Sequence, residues 1–425
     1  AISEGELTER QRNKLLVDMT DEVARLVLRD NYFQTQSLSV SGRMAPALLD
    51  QQARFIRFLE KAGRLNRAIE FLPTDEEIGE RAAAQAGLTS PERAVLLAYA
   101  KIWLFDELIA SRLPDDPWVA TALARYFPAP ARAQFSGYMA KHPLQREIIA
   151  THVTNSMLNR VGSTFVHRLT ETTGASPPEV VRAYLLTREV FDFVPLWQAI
   201  EALDAKVPDA VQSELLTDCG RTIVRSTTWF LRSKRLGDDM AANIGLFRPG
   251  VEQVGAIFGT LLDATGRAAI EAAAGRHAAA GVPQAVAVRV AAYDTLFGAL
   301  DITEIAQAVQ RPVPAVAGVY FDLTGRLGLG WLRARIGALP SATHWQMLAK
   351  GAMRDELAQL QRAIAANALA GGGPADGPHE LLNAWSARNG PALARAERML
   401  AELRALPALD LAMLSVALRE LRGLA

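Results

Sequence analysis

Four polar side chains in the stretch 146–170 have types and spacing that could support binding chemistry. His152, Asn155, Asn159 and His167 fall close to one face if the whole stretch is a single helix. Imidazole and amide groups can hold a ligand or a metal ion. His152 and His167 are about four turns apart, roughly 22 Å at 1.5 Å per residue, so they cannot share one metal ion.

The same four side chains also have a structural interpretation. Apolar residues occupy much of the rest of this helix, and buried uncharged polar groups must find hydrogen-bond partners. Hydrogen bonding between helices, together with ordinary solvation, satisfies that requirement without any ligand. The sequence favours this interpretation and leaves a site near His152–His167 as the alternative.

A second set of polar residues lies at the C-terminal end of a predicted apolar helix near the start of the chain. Arg29, Asn31 and Gln34 follow Val23, Leu26 and Val27 in the sequence, and more polar residues flank them. One interpretation is an exposed helix end with local hydrogen bonds. The other is an edge that contacts an active-site cleft contributed by another part of a larger protein.

The motifs that usually carry catalysis or ligand binding are missing from the sequence. There is no GxxxxGK[ST], HExxH, CxxC or GxSxG pattern. In GRLGLGWLR (325–333), Arg333 stands where a dinucleotide fingerprint has its third glycine, and a helical run precedes it. The single cysteine, Cys219, lies in a probable helix interior and is predicted to be buried and inert. We therefore predict no catalytic residue, no cofactor-binding residue and no metal ligand in this chain.

The elements that must position these residues are almost all helical by their periodicity. Apolar residues recur at three- and four-residue spacing in 54–65, 89–110, 210–233, 284–300 and 342–369. Thr74 with Glu77, Thr89 with Glu92, and Ser176 with Glu179 have the spacing of capping boxes. The best strand candidates, 286–293 and 316–323, are alanine-rich and also fit helices. We predict an all-α fold, a multi-helix bundle of two or more packed helical units with no substantial sheet.

Local composition suggests boundaries within this bundle. We expect a continuous helix with an amide-rich end at 1–40, a helical domain at 41–240 and a second helical unit at 241–425. The glycine-rich stretch 371–378 is predicted to be a flexible loop. Residues 247–250 (FRPG) are predicted to be a turn. Five tryptophans are predicted to anchor the core: Trp197, Trp229, Trp331, Trp345 and Trp385.

Composition excludes several classes of partner. The 425 residues contain 46 Lys+Arg and 46 Asp+Glu, so there is no general attraction to nucleic acid or to an anionic membrane. No apolar run approaches the length of a membrane span, and no pair of cysteines is available for a disulfide. We expect a cytoplasmic protein that binds neither nucleic acid nor membrane.

Several long blocks of the sequence resemble one known family. MTDEVARLVLRDNYFQTQSLSV (19–40) is similar to the helix that follows the cofactor domain in the large bacterial NAD-specific glutamate dehydrogenases. The resemblance continues to the end of the chain, where DLAMLSVALRELRGLA (410–425) looks like the natural end of the family sequence. Further matching blocks are RLNRAIEFLPTDEEI (64–78), GLTSPERAVLLAYAKIWLFDELIAS (87–111), REIIATHVTNSMLNRVGSTFVHRL (146–169), TGASPPEVVRAYLLTREVFD (173–192) and FRPGV (247–251).

The resemblance implies the C-terminal part of a longer enzyme that oxidises L-glutamate to 2-oxoglutarate and ammonia with NAD. The family's catalytic lysine, substrate-binding groups and nucleotide-binding glycines precede this region, so none of them transfers to a position here. The resemblance implies a support, regulatory or assembly role, an upstream catalytic domain as partner and a homo-oligomer, with NAD bound elsewhere in the parent enzyme. The resemblance also implies that 1–40 are the terminal helices of the upstream catalytic core, and by fold-level analogy Arg29, Asn31 and Gln34 brace the interdomain hinge. A non-enzymatic helical scaffold, or an independent enzyme with a site near His152–His167, are the alternatives.

Overall fold

The computed structural model describes residues 7–233, 235–237, 239–340, 343–371, 373 and 376–425. Within these residues there are 21 α-helices and two short 3-10 helices, Leu113–Asp115 and Val119–Thr121, and no strand. The prediction of an all-α fold is confirmed. Both strand candidates are helical in the structure.

The first eleven helices are α1 (Glu9–Arg43), α2 (Ala45–Lys61), α3 (Asp75–Ala83), α4 (Ser90–Ile109), α5 (Ala122–Tyr126), α6 (Ala129–Met139), α7 (Gln145–Val161), α8 (Phe165–Thr173), α9 (Pro177–Val190), α10 (Phe193–Glu201) and α11 (Asp209–Arg232). The remaining ten are α12 (Met240–Leu261), α13 (Ala264–Ala279), α14 (Gln284–Leu296), α15 (Gly298–Ala308), α16 (Val313–Arg326), α17 (Leu329–Ala338), α18 (His344–Ala370), α19 (Pro378–Arg388), α20 (Gly390–Ala405) and α21 (Leu411–Arg422).

The predicted capping boxes begin helices where their spacing indicated. Thr74 accepts a hydrogen bond from the Glu77 backbone at 3.2 Å, and Glu77 accepts one from the Thr74 backbone at 2.7 Å. The Thr89 backbone N–H donates to Glu92 at 2.6 Å. These contacts satisfy N–H groups that have no partner inside the helix.

The chain forms two compact units. The first runs up to Arg188 and resumes at Ile200–Ala241. In its core, α2, α4 and α8 contribute an aromatic cluster in which Phe55 and Phe58 lie 5.6 and 5.4 Å from Trp103, between ring centroids. Cys219 on α11 is buried in this unit, as predicted.

The second unit comprises Glu189–Ala199 and Ala242–Ala425. In it the Tyr293 hydroxyl donates to the Phe191 carbonyl at 2.8 Å. The fully buried Asp301 receives an ion pair from Arg362 at 2.7 Å and a hydrogen bond from Tyr320 at 3.1 Å. A buried carboxylate needs such partners, because burial without them is costly.

Two local predictions were wrong. Residues 247–250 are not a turn, because α12 continues through Pro249. Packing overrides the local signal here: Gly250 lies directly against Thr303, and Arg248 pairs with Asp192 at 3.1 Å. Trp345 is 77% exposed, since it lies in the first turn of α18, ahead of that helix's first buried residue.

Other tryptophans follow the prediction. Trp197, Trp229 and Trp385 are buried, whereas Trp331 is half-buried. The predicted flexible loop at 371–378 falls partly outside the described residues, which lack 372, 374 and 375. Across the part of the chain that is described, none of the helices has both the length and the apolar character that crossing a bilayer requires.

Candidate functional site

The first helix, α1, positions one half of the candidate site. It begins at a capping box in which the Thr8 backbone N–H donates to Gln11 at 2.9 Å and the Gln11 backbone N–H donates to Thr8 at 3.3 Å. One face of α1 turns inward at helical spacing and packs chiefly against α6, α7 and α11. The covered residues on this face are Leu15, Met19, Leu26, Asp30, Phe33 and Ser37.

Asp30 joins the two polar groups that the sequence singled out separately. Its Oδ1 accepts a hydrogen bond from Asn159 Nδ2 of α7 at 3.3 Å. Its Oδ2 accepts one from Gln34 Nε2 of α1 at 3.1 Å. Asn159 is only 3% exposed, so its amide would lose stabilisation without this partner.

A second cluster follows within the next two turns of α1. Gln36 Nε2 donates to the Tyr32 hydroxyl at 2.8 Å, and the Tyr32 hydroxyl donates to Asp204 Oδ1 at 2.9 Å. Arg160 of α7 donates to Gln36 Oε1 at 3.1 Å and forms an ion pair with Glu201 at the end of α10. The two clusters together are called the seam below: Asp30, Tyr32, Gln34, Gln36, Asn159, Arg160, Glu201 and Asp204.

Partial burial sets the protonation of the seam. Burial, followed by the hydrogen bond to Asp204, raises the pKa of Tyr32 far above its ordinary value, so the phenol remains a donor. Burial also raises the pKa of Glu201, and the Arg160 guanidinium opposes that shift. The Arg160 guanidinium carbon lies 4.3 Å from the Phe33 ring centroid, which adds a cation–π contact.

His152 lies two turns before Asn159 on α7. It lines a small pocket with Trp118, Arg125 and Arg188. Burial, then the neighbouring arginines, lower the pKa of His152 to about 4, against an opposing effect of Asp30. The imidazole is therefore neutral at pH 7. Burial likewise lowers the pKa of Lys101, and again Asp30 opposes the shift.

The remaining predicted site residues do not converge. The stretch 146–170 is two helices, because α7 ends at Val161 and Gly162 takes a positive φ of 82°. His167 therefore lies on α8, buried in the aromatic cluster at 5.1 Å from Phe55 and 4.8 Å from Phe58 between ring centroids. Its Nδ1 is 3.5 Å from Glu171, and burial lowers the pKa of its imidazole.

Arg29, Asn31 and Asn155 lie in three different settings. Arg29 is exposed, with its guanidinium carbon 5.9 Å from the Phe33 ring centroid. Asn31 is exposed, and Asn155 is half-buried on α7. The structure thus brings Gln34 and Asn159 together through Asp30 and leaves the other predicted residues outside that contact.

Hydrogen bonding among its own members is the main property of the seam, although the buried Oδ1 of Asn159 has no hydrogen-bond partner among the described residues. The seam's carboxylates, amides and guanidinium hydrogen-bond to one another and fix the last turns of α1 against α7 and the α10–α11 turn. No group of three or more His, Cys, Asp or Glu able to hold a metal ion occurs among the residues described. The stretch 325–333 joins α16 to α17, so a helix precedes it, as expected.

Sequence reasoning missed Arg160, Glu201 and Asp204 as members of the seam. Glu201 and Asp204 are 41 or more residues from Arg160 in the chain, and their types are common on exposed helix faces. Asp30 belonged to the polar run at the end of α1 but was not singled out. Only the tertiary fold shows that these charges meet.

Two family models match the chain. The family described as "Glutamate dehydrogenase, C-terminal" matches residues 85–423. The family described as "Bacterial NAD-glutamate dehydrogenase, catalytic domain" matches residues 1–41, which contain almost all of α1.

Three curated relatives, each called "NAD-specific glutamate dehydrogenase", align with essentially the whole chain. The Pseudomonas aeruginosa protein is 40% identical and the Halomonas elongata protein is 38% identical, each over 100% of this chain. The Mycobacterium tuberculosis protein is 35% identical over 99% of it. In each case the chain spans 26% of the relative's length.

Proposed function

This chain belongs to the glutamate dehydrogenase C-terminal family, and we propose that it is the C-terminal helical region of an NAD-dependent glutamate dehydrogenase. In this proposal the whole enzyme oxidises L-glutamate to 2-oxoglutarate and ammonia, and NAD accepts the hydride. The names of the three relatives support this activity. In this proposal, the groups that bind glutamate and NAD lie in the part of the longer enzyme that this chain does not span.

The role of the helical region is to hold the end of the catalytic domain in place. The observation that carries this role is the course of α1. The match to the catalytic-domain family ends at residue 41, while α1 continues unbroken to Arg43. The seam ties the last turns of that helix to α7 and to the α10–α11 turn, so in this proposal the last helix of the catalytic domain is built into the helical region.

A deletion tests this supporting role. We define the longer protein as one that carries the preceding catalytic domain in addition to residues 1–425. Removing residues 44–425 from the longer protein leaves α1 intact but removes every partner of its inward face. We expect a lower melting temperature together with altered light-scattering mass or aggregation. Unchanged mass, melting temperature and kinetics would contradict the role.

The alternatives have less support. For an independent site near His152–His167, the two imidazoles would have to act together, yet they lie on separate helices and His167 packs between aromatic rings. A helical scaffold unrelated to amino-acid metabolism does not account for 35–40% identity along the whole chain.

Homo-oligomeric assembly and a cytoplasmic location are also part of the proposal. Balanced charge and a single buried cysteine are compatible with both. Light scattering of the longer protein, with cell fractionation, tests these two points separately from activity.

A further inference from the structure

The first helix has a second apolar face that its own helical unit does not cover. Five large apolar side chains of α1 are exposed. Their exposed fractions are 52% for Leu16, 74% for Val17, 43% for Val23, 55% for Val27 and 67% for Leu28.

These five residues form one stripe rather than a scatter. At 100° per residue, four of them lie within about 60° on either side of Thr20 around the helix axis. Leu28 lies about 80° from Thr20. The stripe runs from Leu16 to Leu28, roughly 18 Å along the helix axis. Exposed Asn31 is three turns beyond Thr20 and about 20° from it, so it continues the stripe at its C-terminal end.

The second face borders the inward face of α1 on the side of Asp30. By the shorter way round the helix, Leu26 is about 120° and Asp30 about 80° from Thr20, so Asp30 is only about 20° from Val23. Arg29 is nine residues from Thr20 and about 180° away, on the side that carries Phe33. Of the three residues expected at a cleft, Asn31 and Gln34 therefore fall within the angular range of the stripe, but Gln34 is half-buried and donates to Asp30.

The stripe is interrupted only by exposed Thr20 and the small, exposed Ala24, and an apolar surface of this length on a helix indicates a docking surface. Single exposed apolar residues are ordinary on protein surfaces, but contiguous apolar patches mark interaction sites. A helix that is apolar on two faces is covered on both in its native setting. Among the described residues of its own unit α1 has partners on the inward face only, so the second face is open to a partner outside that unit.

The comparisons favour one occupant for this face. The whole stripe lies inside residues 1–41, which match the catalytic-domain family, and the chain spans only 26% of the relatives' length. A helix that belongs to a catalytic domain packs within that domain. A second copy of this chain has no comparable argument in its favour.

We propose that the stripe formed by Leu16, Val17, Val23, Val27 and Leu28 packs against the upstream catalytic domain of the same polypeptide, with Asn31 at its edge. This inference rests on the proposed function, since that proposal supplies the upstream domain. α1 then contacts two bodies on neighbouring faces, the rest of its helical unit through the inward face and the catalytic domain through the stripe. A displacement of the helical region would reach the catalytic domain through this helix.

Thiol labelling tests the surface without relying on activity. The one native cysteine, Cys219, is buried, so V23C or V27C supplies an accessible thiol that peptide mapping identifies. We expect fast labelling in the 425-residue chain and labelling slower by about tenfold or more in the longer protein. V416C is the matched control: Val416 is 47% exposed on α21, and its labelling rate should be equal in both proteins.

Three outcomes would overturn the proposal or separate it from the proposed function. Equal labelling of V23C in both proteins overturns it. Protection that grows with concentration in the 425-residue chain alone assigns the face to a second copy and also overturns it. Protection in a longer protein that lacks glutamate-dependent NAD reduction supports the docking surface while refuting the proposed activity.

Charge substitution gives a second readout. V23D combined with V27D should leave the melting temperature of the 425-residue chain unchanged, because both side chains are exposed there. In the longer protein the same pair should lower the melting temperature, whereas V416D should not. Equal effects in the two proteins would show that the face has no upstream partner.

Discussion

Asn159 on α7 donates a hydrogen bond to Asp30 on α1 at 3.3 Å, across 129 residues of sequence. This contact joins the two polar groups that the sequence singled out as separate candidates. It also explains why an amide stands on the buried face of an otherwise apolar helix. The amide donates to a carboxylate of the helix that, by our proposal, ends the catalytic domain.

Replacing Asn159 with alanine should destabilise the first unit. The change removes a hydrogen bond to a carboxylate in a buried setting, so we expect a loss of about 1–3 kcal/mol in the free energy of unfolding. Urea denaturation of the 425-residue chain measures it. Asn31→Ala is the control, because Asn31 is exposed on α1 and should change stability by less than about 0.5 kcal/mol. Equal urea midpoints for wild type and Asn159→Ala would contradict a stabilising role for the hydrogen bond between Asn159 and Asp30.

Arg160 and Glu201 should be energetically coupled. Arg160→Leu removes the cation beside a largely buried carboxylate whose pKa burial already raises, so we expect a loss of about 2 kcal/mol. Adding Glu201→Gln should recover part of that loss, and a double-mutant cycle measures the coupling.

The exposed pair Arg395–Glu420, at 3.1 Å on α20 and α21, is the control for this cycle. Its coupling should not exceed about 0.5–1 kcal/mol because solvent screens it. Equal coupling free energies in the two pairs would mean that burial does not strengthen the interaction between Arg160 and Glu201.

Stability should fall with acidification between pH 6.5 and pH 4 through His152. The pKa of His152 in the folded protein is about 4, below the ordinary value of 6.5, so the unfolded chain takes up the proton first. The stabilisation is complete above pH 6.5 and is lost as the pH falls toward 4. Urea midpoints of wild type and His152→Gln across this range measure the effect. His152→Gln should flatten the profile, whereas His379→Gln, at an exposed position on α19, should not.

Gly250 should not tolerate alanine, in contrast to another glycine of α12. A Cβ at 250 would overlap the side chain of buried Thr303, so Gly250→Ala should cost about 1–3 kcal/mol in the second unit. At Gly259 nothing lies within 4 Å, and alanine should stabilise the helix by up to about 1 kcal/mol. Thermal unfolding of the two variants decides the point. A destabilised Gly259→Ala with a neutral Gly250→Ala would contradict the packing described for α12.

The helices themselves follow from local sequence signals. Capping boxes such as Thr74 with Glu77 depend on four neighbouring residues, so the spacing alone reveals them. The continuation of α12 through Pro249 could not be predicted, because it depends on the contact between Gly250 and Thr303, 53 positions later. The break at Gly162 carried only a weak signal, a single glycine inside a periodic run.

The sequence indicated individual residues of the seam but not the contacts that join them. Gln34 and Asn159 were singled out because uncharged polar groups on apolar helices need partners. The carboxylate that joins them, and the pairing of Arg160 with Glu201, depend on which helices meet. His167 was grouped with the other polar residues because 146–170 was interpreted as a single helix. In the structure it lies on a separate helix, α8, and packs against Phe58.

The most direct test of the central claim compares glutamate-dependent reduction of NAD by two proteins. One is the 425-residue chain, and the other is the longer protein that carries the preceding catalytic domain. We predict turnover by the longer protein and none by the 425-residue chain. Turnover by the chain alone would contradict the assignment of this helical region as a non-catalytic support, and an inactive longer protein would contradict the proposed activity.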